Sequence, residues 1–317
     1  MTEANIEDTL RKRLAYQARE LQYGTSGRRG EVAHLTQVEI YINVFAELEY
    51  LKSLPLSEGG IACGDEFYLA YDLRPSSTRF VPEQQGRGEI AQAIARALTD
   101  AGMQPVNLGP VPTPALTYYA LSRRRGSIMV TGSHIPFDRN GYKTNTSRGE
   151  LLKKDEDPIN ERVRSIRARI YGEPYRQSPF DEMGLFKTGH QELPAEMRKA
   201  RSAYIERYLN FFGTRSLDGR SVLVYQHSAV GRDMLVEILE RLGAVVLAAG
   251  RSDAFVPVDT ENVDDAQLAL IQSLVARAVR VRPSRSMSDP VKKPPLASQP
   301  QTAPFPFFRA FSMPAMT

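Results

Sequence analysis

At 317 residues, with 42% hydrophobic and 25% charged residues, the chain has the composition of a soluble protein large enough for two packed cores. One cysteine, Cys63, excludes an internal disulfide framework, and no apolar run approaches the roughly 18 residues of a membrane helix, so a cytoplasmic protein is expected. The net charge of +4 comes from the last 37 residues, where five basic residues and one acidic residue leave 36 of each before them, so no basic face for nucleic acid is expected.

Ile6, Leu10, Leu14, Ala18 and Leu21 recur at helical spacing and predict an amphipathic opening helix. A glycine-rich loop follows, Tyr23-Gly24-Thr25-Ser26-Gly27-Arg28-Arg29-Gly30. Thr36-x-x-Glu39 has the form of a capping box, in which each side chain satisfies an unpaired amide of the first turn. The helix it opens should run to about Leu54. Residues 67–71 read as a strand ending in Asp72-Leu73-Arg74-Pro75-Ser76-Ser77, where Asp72 and Arg74 suit an ion pair that ties the loop together. A helix from about Gly88 carries Ile90, Ile94, Ala97 and Leu98, with Gly102 placed to end it.

Residues 105–108 form a short strand, and Gly109-Pro110-Val111-Pro112-Thr113-Pro114 a stiff turn into a further helix. The β-branched run Ser127-Ile128-Met129-Val130 is a buried strand. From about Arg148 to Glu196 the pattern is weak and predicts a return strand, a helix and a linker. A second unit then repeats the alternation. Tyr204, Tyr208 and Phe211 mark a helix, residues 221–225 a strand, residues 231–242 a helix, residues 244–248 a strand and residues 264–279 a helix. This alternation implies an α/β fold of two consecutive αβα sandwich domains with mostly parallel sheets, at about 1–195 and 196–280. Beyond Val281, eight prolines in 37 residues and no hydrophobic period predict a disordered, Pro-rich basic tail.

The chemistry concentrates after Val130, in Thr131-Gly132-Ser133-His134-Ile135-Pro136-Phe137-Asp138-Arg139-Asn140-Gly141-Tyr142-Lys143. A strand running out into this loop places Ser133 at a sheet's carboxyl edge, where open α/β folds bind ligands. Asn140-Gly141 reads as a turn, with Lys143 in the loop just beyond. A serine that carries a phosphoryl group needs an exposed loop and nearby cations. Lys143 beside other cations suits a lowered pKa and a role as base, and His134 is a second candidate.

This loop resembles the phosphoserine loop of the α-D-phosphohexomutases, the phosphoglucomutase and phosphomannomutase family, in which Thr-Ala-Ser-His-Asn-Pro precedes Asn-Gly-x-Lys. Gly132 stands where the family usually has Ala, and Ile135 where it has Asn. Residues 23–30 are similar to the family's Phe-Gly-Thr-Ser-Gly-x-Arg-Gly, and residues 71–77 to Tyr-Asp-x-Arg-x-Ser-Ser. Val111-Pro112-Thr113-Pro114-Ala115 matches a further turn, and His227-Ser228-Ala229-Val230-Gly231 stands where relatives open a helix with a Gly-rich turn. The motifs keep the family's order over roughly residues 20–260.

The resemblance implies transfer of a phosphoryl group between C1 and C6 of a hexose phosphate, through phosphorylated Ser133 and a hexose 1,6-bisphosphate. It implies catalytic roles for Ser133, Lys143, His134 and Arg29, and phosphate or substrate contacts for Thr25, Ser26 and Asn140. It also implies Mg²⁺, bridging the Ser133 phosphate and three aspartates of an Asp-Gly-Asp-x-Asp-Arg loop. That string does not occur in this sequence; Asp253, Asp259, Asp264 and Asp265 lack its spacing. The expectation is therefore an N-terminal half of a phosphohexomutase, ending before the metal loop in an aberrant tail and inactive alone. The competing expectation is a non-catalytic fragment that keeps the fold and binds phosphosugar or a partner. Neither nucleic acid nor a membrane is expected as a partner.

Overall fold

The computed structural model describes residues 8–24, 27–133, 135–256, 258 and 263–281, the last four by backbone alone. The predicted tail, apart from Val281, lies outside them, as do Ile6, Thr25, Ser26, His134 and Asp259. In chain order the elements are α1 (Leu10–Arg13), β1 (Arg28–Glu31), α2 (Gln37–Ser53), β2 (Glu66–Tyr71), α3 (Pro75–Thr78), β3 (Phe80–Val81), β4 (Arg87–Gly88), α4 (Ile90–Asp100), β5 (Gln104–Asn107), α5 (Thr113–Leu121), β6 (Ser127–Val130), β7 (Arg139–Thr146), β8 (Gly149–Glu150), α6 (Lys153–Gly172), α7 (Lys199–Phe212), β9 (Ser221–His227), α8 (Arg232–Arg241), β10 (Val245–Arg251) and α9 (Asp265–Val281).

The main sheet is mixed, which corrects the mostly parallel sheet expected from sequence. Its strand order is β1-β7-β6-β2-β5, with β8 paired to β7. β2 is parallel to both β5 and β6, whereas β7 is antiparallel to β6, β1 and β8. Parallel neighbours need a crossover, but β6 returns directly as β7 through residues 131–138, and a direct return is antiparallel. Asn140-Gly141 is therefore not a turn: it lies within β7, opposite Gly30 and Arg29 of β1. A Cβ on Gly141 would sit 2.1 Å from the Arg28 carbonyl, so the glycine serves the close approach of β1.

The opening helix shortens to the single turn of α1. The Leu10 amide donates to Glu173 O at 3.0 Å and the Ala15 amide to Glu182 O at 2.8 Å, which draws the segment across the end of α6 instead of into a helix of its own. Leu10 and Leu21 are both buried, so the apolar recurrence marks anchors in the core. α2 starts as expected, with Thr36 Oγ1 accepting from the Glu39 amide at 3.3 Å. The second half of the capping box is absent. The Glu39 carboxylate instead accepts from Arg167 Nη2 at 2.9 Å and Tyr171 Oη at 2.6 Å, docking α6 on α2.

Two apolar clusters flank the sheet. One packs α2, α4 and α6 around Ile40, Leu48, Leu69, Ile94, Ile128, Tyr142 and Ile159. The other sets Tyr68, Met129, Leu116 and Tyr119 against Ala200, Tyr204, Ile205 and Leu209 of α7, and continues to Met234 and Ile238 of α8. Beyond α7, β9 and β10 form a parallel pair joined by α8, a small βαβ unit. Among the described residues no helix is long and apolar enough to cross a membrane.

Candidate functional site

The loop after β6 is held by its neighbours from both sides. The Thr131 amide donates to Gly141 O at 3.0 Å, and the Asp72 amide to Val130 O at 2.9 Å. Asp72 then turns its carboxylate on the loop, accepting from the Gly132 amide at 3.1 Å, the Arg74 amide at 3.0 Å and Ser77 Oγ at 2.8 Å. Arg74 is only 3% exposed. Its guanidinium donates to the carbonyls of Pro136 (2.7 Å), Arg139 (2.9 Å), Ser133 (3.1 Å) and Ile135 (2.5 Å). Bonds from a charged donor are worth about 1.5–3 kcal/mol each. The direct Asp72–Arg74 contact is loose, at 3.6 Å, so the pair acts mainly through the loop it grips.

That grip explains Gly132. A Cβ there would lie 2.4 Å from Arg74 Nε and 2.6 Å from its Cζ, where no methyl group fits. Ser133 follows at φ 53°, a left-handed conformation uncommon outside glycine, with its amide donating to Thr131 Oγ1 at 2.9 Å. The residue is exposed. Backbone strain at a loop whose carbonyls are pinned is found where a side chain must be presented in one direction.

Ser133 lines a cleft of about 310 Å³ with Asp72, Arg74 and Thr131 on one side and His227–Gly231, Ser252, Asp253 and Phe255 on the other. The second wall comes from the βαβ unit. Phe255 lies over the Arg74 guanidinium, 4.3 Å from ring centroid to Cζ, and against Phe137 at 5.7 Å. Arg232 pins the far wall by donating to the carbonyls of His227 (2.9 Å) and Ser252 (2.5 Å) and to Asp253 Oδ1 (3.1 Å). Phe255 and Arg232 carry no sequence signal of their own; their roles arise from contacts between distant segments.

The other residues singled out from sequence divide between this cleft and its surroundings. Arg29 and Lys143 are neighbours at the β1–β7 seam. Burial, and then the Arg29 charge, hold the Lys143 ammonium below its ordinary pKa, with Glu150 opposing. Arg29 Nε is buried without a hydrogen-bond partner among the described residues. Lys143 lines a separate cleft of about 130 Å³ with Tyr23, Gly24, Gly27 and Glu47. Asn140 is fully buried, donating to Ser76 Oγ at 2.8 Å and Ser77 Oγ at 3.1 Å, so its side chain braces the loop. Arg28, next to Arg29, is a core residue paired with Glu47 at 3.1 Å and bonded to Leu21 O and Asn160. Thr25, Ser26 and His134 lie outside the described residues.

The described residues do not fit a Mg²⁺ site. They contain no group of three or more His, Cys, Asp or Glu side chains that could hold a metal ion. Asp253 is engaged by Arg232, and Asp264 caps α9 by accepting from the Gln267 amide at 2.7 Å.

Ser133 is thus presented from a left-handed loop position at the carboxyl end of β6 and faces the β9–α8–β10 unit across a cleft, on an α/β scaffold. Residues 20–169 match the alpha/beta/alpha domain I of the phosphoglucomutase/phosphomannomutase family, and the chain belongs to that family. It is 35% identical over 252 residues to a phosphomannomutase of Sinorhizobium fredii, covering 79% of this chain and 47% of that protein. It is also 35% identical over 245 residues to a phosphomannomutase of Salmonella muenchen, covering 77% of this chain and 44% of the relative. The chain thus spans about half the length of the curated relatives it matches. Its fold is similar to the crystal structure of a Thermus thermophilus protein assigned as a candidate phosphomannomutase, with a TM-score of 0.56 at 20% identity over 82% of this chain and 52% of that one.

Proposed function

We propose that the chain carries the phosphoryl-accepting half of a phosphohexomutase, with Ser133 as the residue that bears the phosphoryl group. The observation that carries this reading is the Ser133 loop: a left-handed, exposed serine whose own carbonyl, with those of Ile135, Pro136 and Arg139, is held by one buried arginine. In the full reaction a hydroxyl oxygen of a hexose monophosphate forms an O–P bond as the Ser133 Oγ–P bond breaks. The hydroxyl proton passes to a base and Ser133 Oγ takes up a proton. The resulting hexose 1,6-bisphosphate returns its other phosphoryl group to Ser133.

Lys143 is the proposed base; it lines the cleft next to that of Ser133, not the Ser133 cleft itself, so the reading requires the substrate to reach across the β1–β7 seam. Burial and the Arg29 charge raise the neutral fraction of Lys143, and a base whose pKa is brought toward the working pH transfers protons more effectively. Arg29, whose buried Nε has no hydrogen-bond partner among the described residues, is a cation that can meet a phosphoryl oxygen. Mannose and glucose phosphates are the proposed substrates, and soluble cytoplasmic enzymes of hexose metabolism the proposed setting. The division into domains at about residues 1–195 and 196–280 is likewise proposed.

Intact-mass analysis after exposure to glucose 1,6-bisphosphate tests the assignment. One added phosphoryl group is expected, absent from Ser133→Ala. Labelling that survives the alanine substitution would move the site elsewhere.

A further inference from the structure

On the cleft wall opposite Ser133 stands His227, whose Nδ1 has no hydrogen-bond partner among the described residues. His227 ends β9 at φ 32°, and its backbone is fixed: its carbonyl accepts from Arg232 Nη1 at 2.9 Å and from the Ser252 amide at 3.1 Å. The imidazole is only packed beside Tyr225, ring centroids 5.5 Å apart. Nδ1 is buried and has no hydrogen-bond partner among the described residues. A buried polar atom left in this state is costly, and at a cleft it is a position where a ligand can supply the missing partner. The cleft of about 310 Å³ matches the lower end of small-ligand sites.

We propose that the His227 imidazole contacts the sugar, hydrogen-bonding a ring hydroxyl of the hexose phosphate whose phosphoryl group meets Ser133, an inference that rests on the mutase reading above. Charge around the ring favours a hydroxyl over a phosphoryl oxygen. Burial first, and then the charge of Arg232, hold His227 below the ordinary histidine range, so the ring is neutral at pH 7. A neutral imidazole both donates and accepts, as a hydroxyl does. No spare cation stands beside it for an anion among the described residues. Arg232 is consumed by two carbonyls and Asp253, and Arg251 by Asp233.

The chain has four histidines, so imidazole NMR spectra of the full chain are resolvable, with His227 assigned through His227→Asn. Mannose 1-phosphate should shift the His227 ring signals and leave the ring neutral at pH 7, whereas inorganic phosphate should not move them. Equal shifts with inorganic phosphate, or a ring pKa that climbs on binding, would overturn the hydroxyl assignment in favour of a phosphoryl contact. In parallel, His227→Ala should raise the concentration of glucose 1,6-bisphosphate needed for half-maximal labelling of Ser133 by about tenfold, with the limiting rate within about threefold. Labelling of both proteins at the same concentration sinks the role of His227 while leaving Ser133 in place. Labelling of neither sinks the mutase reading itself.

Discussion

At the scale of single residues, Gly132 and Arg74 are one feature. The guanidinium that holds four loop carbonyls occupies the space a Cβ would need, so loop geometry and glycine are mutually required. Gly132→Ala should displace Arg74 and cost about 1–3 kcal/mol, the usual range for overpacking, read as a lower urea midpoint. It should also slow phosphoryl labelling of Ser133; an unchanged midpoint would show that Arg74 yields freely. A second residue-level prediction concerns His190, which meets buried Glu89 at 2.5 Å and Glu192 at 3.2 Å. Glu89, then Glu192, raise its pKa above the ordinary value of about 6.5. A raised folded-state pKa stabilises fully below the unfolded value, and that contribution is lost as pH rises through the folded one. The Tm difference between the parent chain and His190→Ala should therefore be largest below about pH 6.5 and shrink at higher pH. A difference that grows with pH would mean the neutral ring, not the cation, makes the contact.

At the scale of elements, the β1–β7 seam is where sequence reasoning and structure part. The serine loop, the Tyr-Asp-x-Arg string and the helices α4, α5 and α8 were legible because their signals are local: a motif, a helical period, a glycine after the last turn. β7 was not, because Asn140-Gly141 is also the commonest local turn signal, and only pairing with distant Arg29 and Gly30 makes it strand. The same distance hides Arg28 and Glu47. Glu47 is buried and accepts from Arg28 at 3.1 Å, Tyr142 Oη at 3.3 Å and Thr144 Oγ1 at 2.6 Å, joining α2 to β1 and β7. Nothing in the local string separates Arg28 from the adjacent Arg29, yet one is core and the other borders the Lys143 site. Arg28→Met leaves the Glu47 charge buried without its cation and should cost about 3–5 kcal/mol by urea unfolding. Glu47→Gln with Arg28→Met should recover part of that loss, since removing both charges leaves none uncompensated.

At the scale of the whole molecule, α7 is the element that packs the main sheet and the β9–α8–β10 segment into one cluster. Its Ala200, Tyr204, Ile205 and Leu209 pack on α5 and the main sheet in the same cluster that reaches Met234 and Ile238 of α8. The Ser133 cleft depends on this arrangement, because one wall follows β6 and the other follows β9 and β10. Phe255 on Arg74 closes the contact at the cleft itself. The strand–helix alternation implied two units, but alternation alone cannot reveal that they share a core, since the residues of α7 show the same apolar spacing whether one neighbour covers them or two. Ile205 is 1% exposed, so Ile205→Ala should cost about 2–5 kcal/mol. The informative readout is where that loss appears. Native-state hydrogen exchange should show β6 and β9, on opposite sides of α7, losing protection together and by similar amounts. Loss confined to β9 would mean that the second unit opens alone, and that α7 is a cover on the first sheet instead of the joint between them.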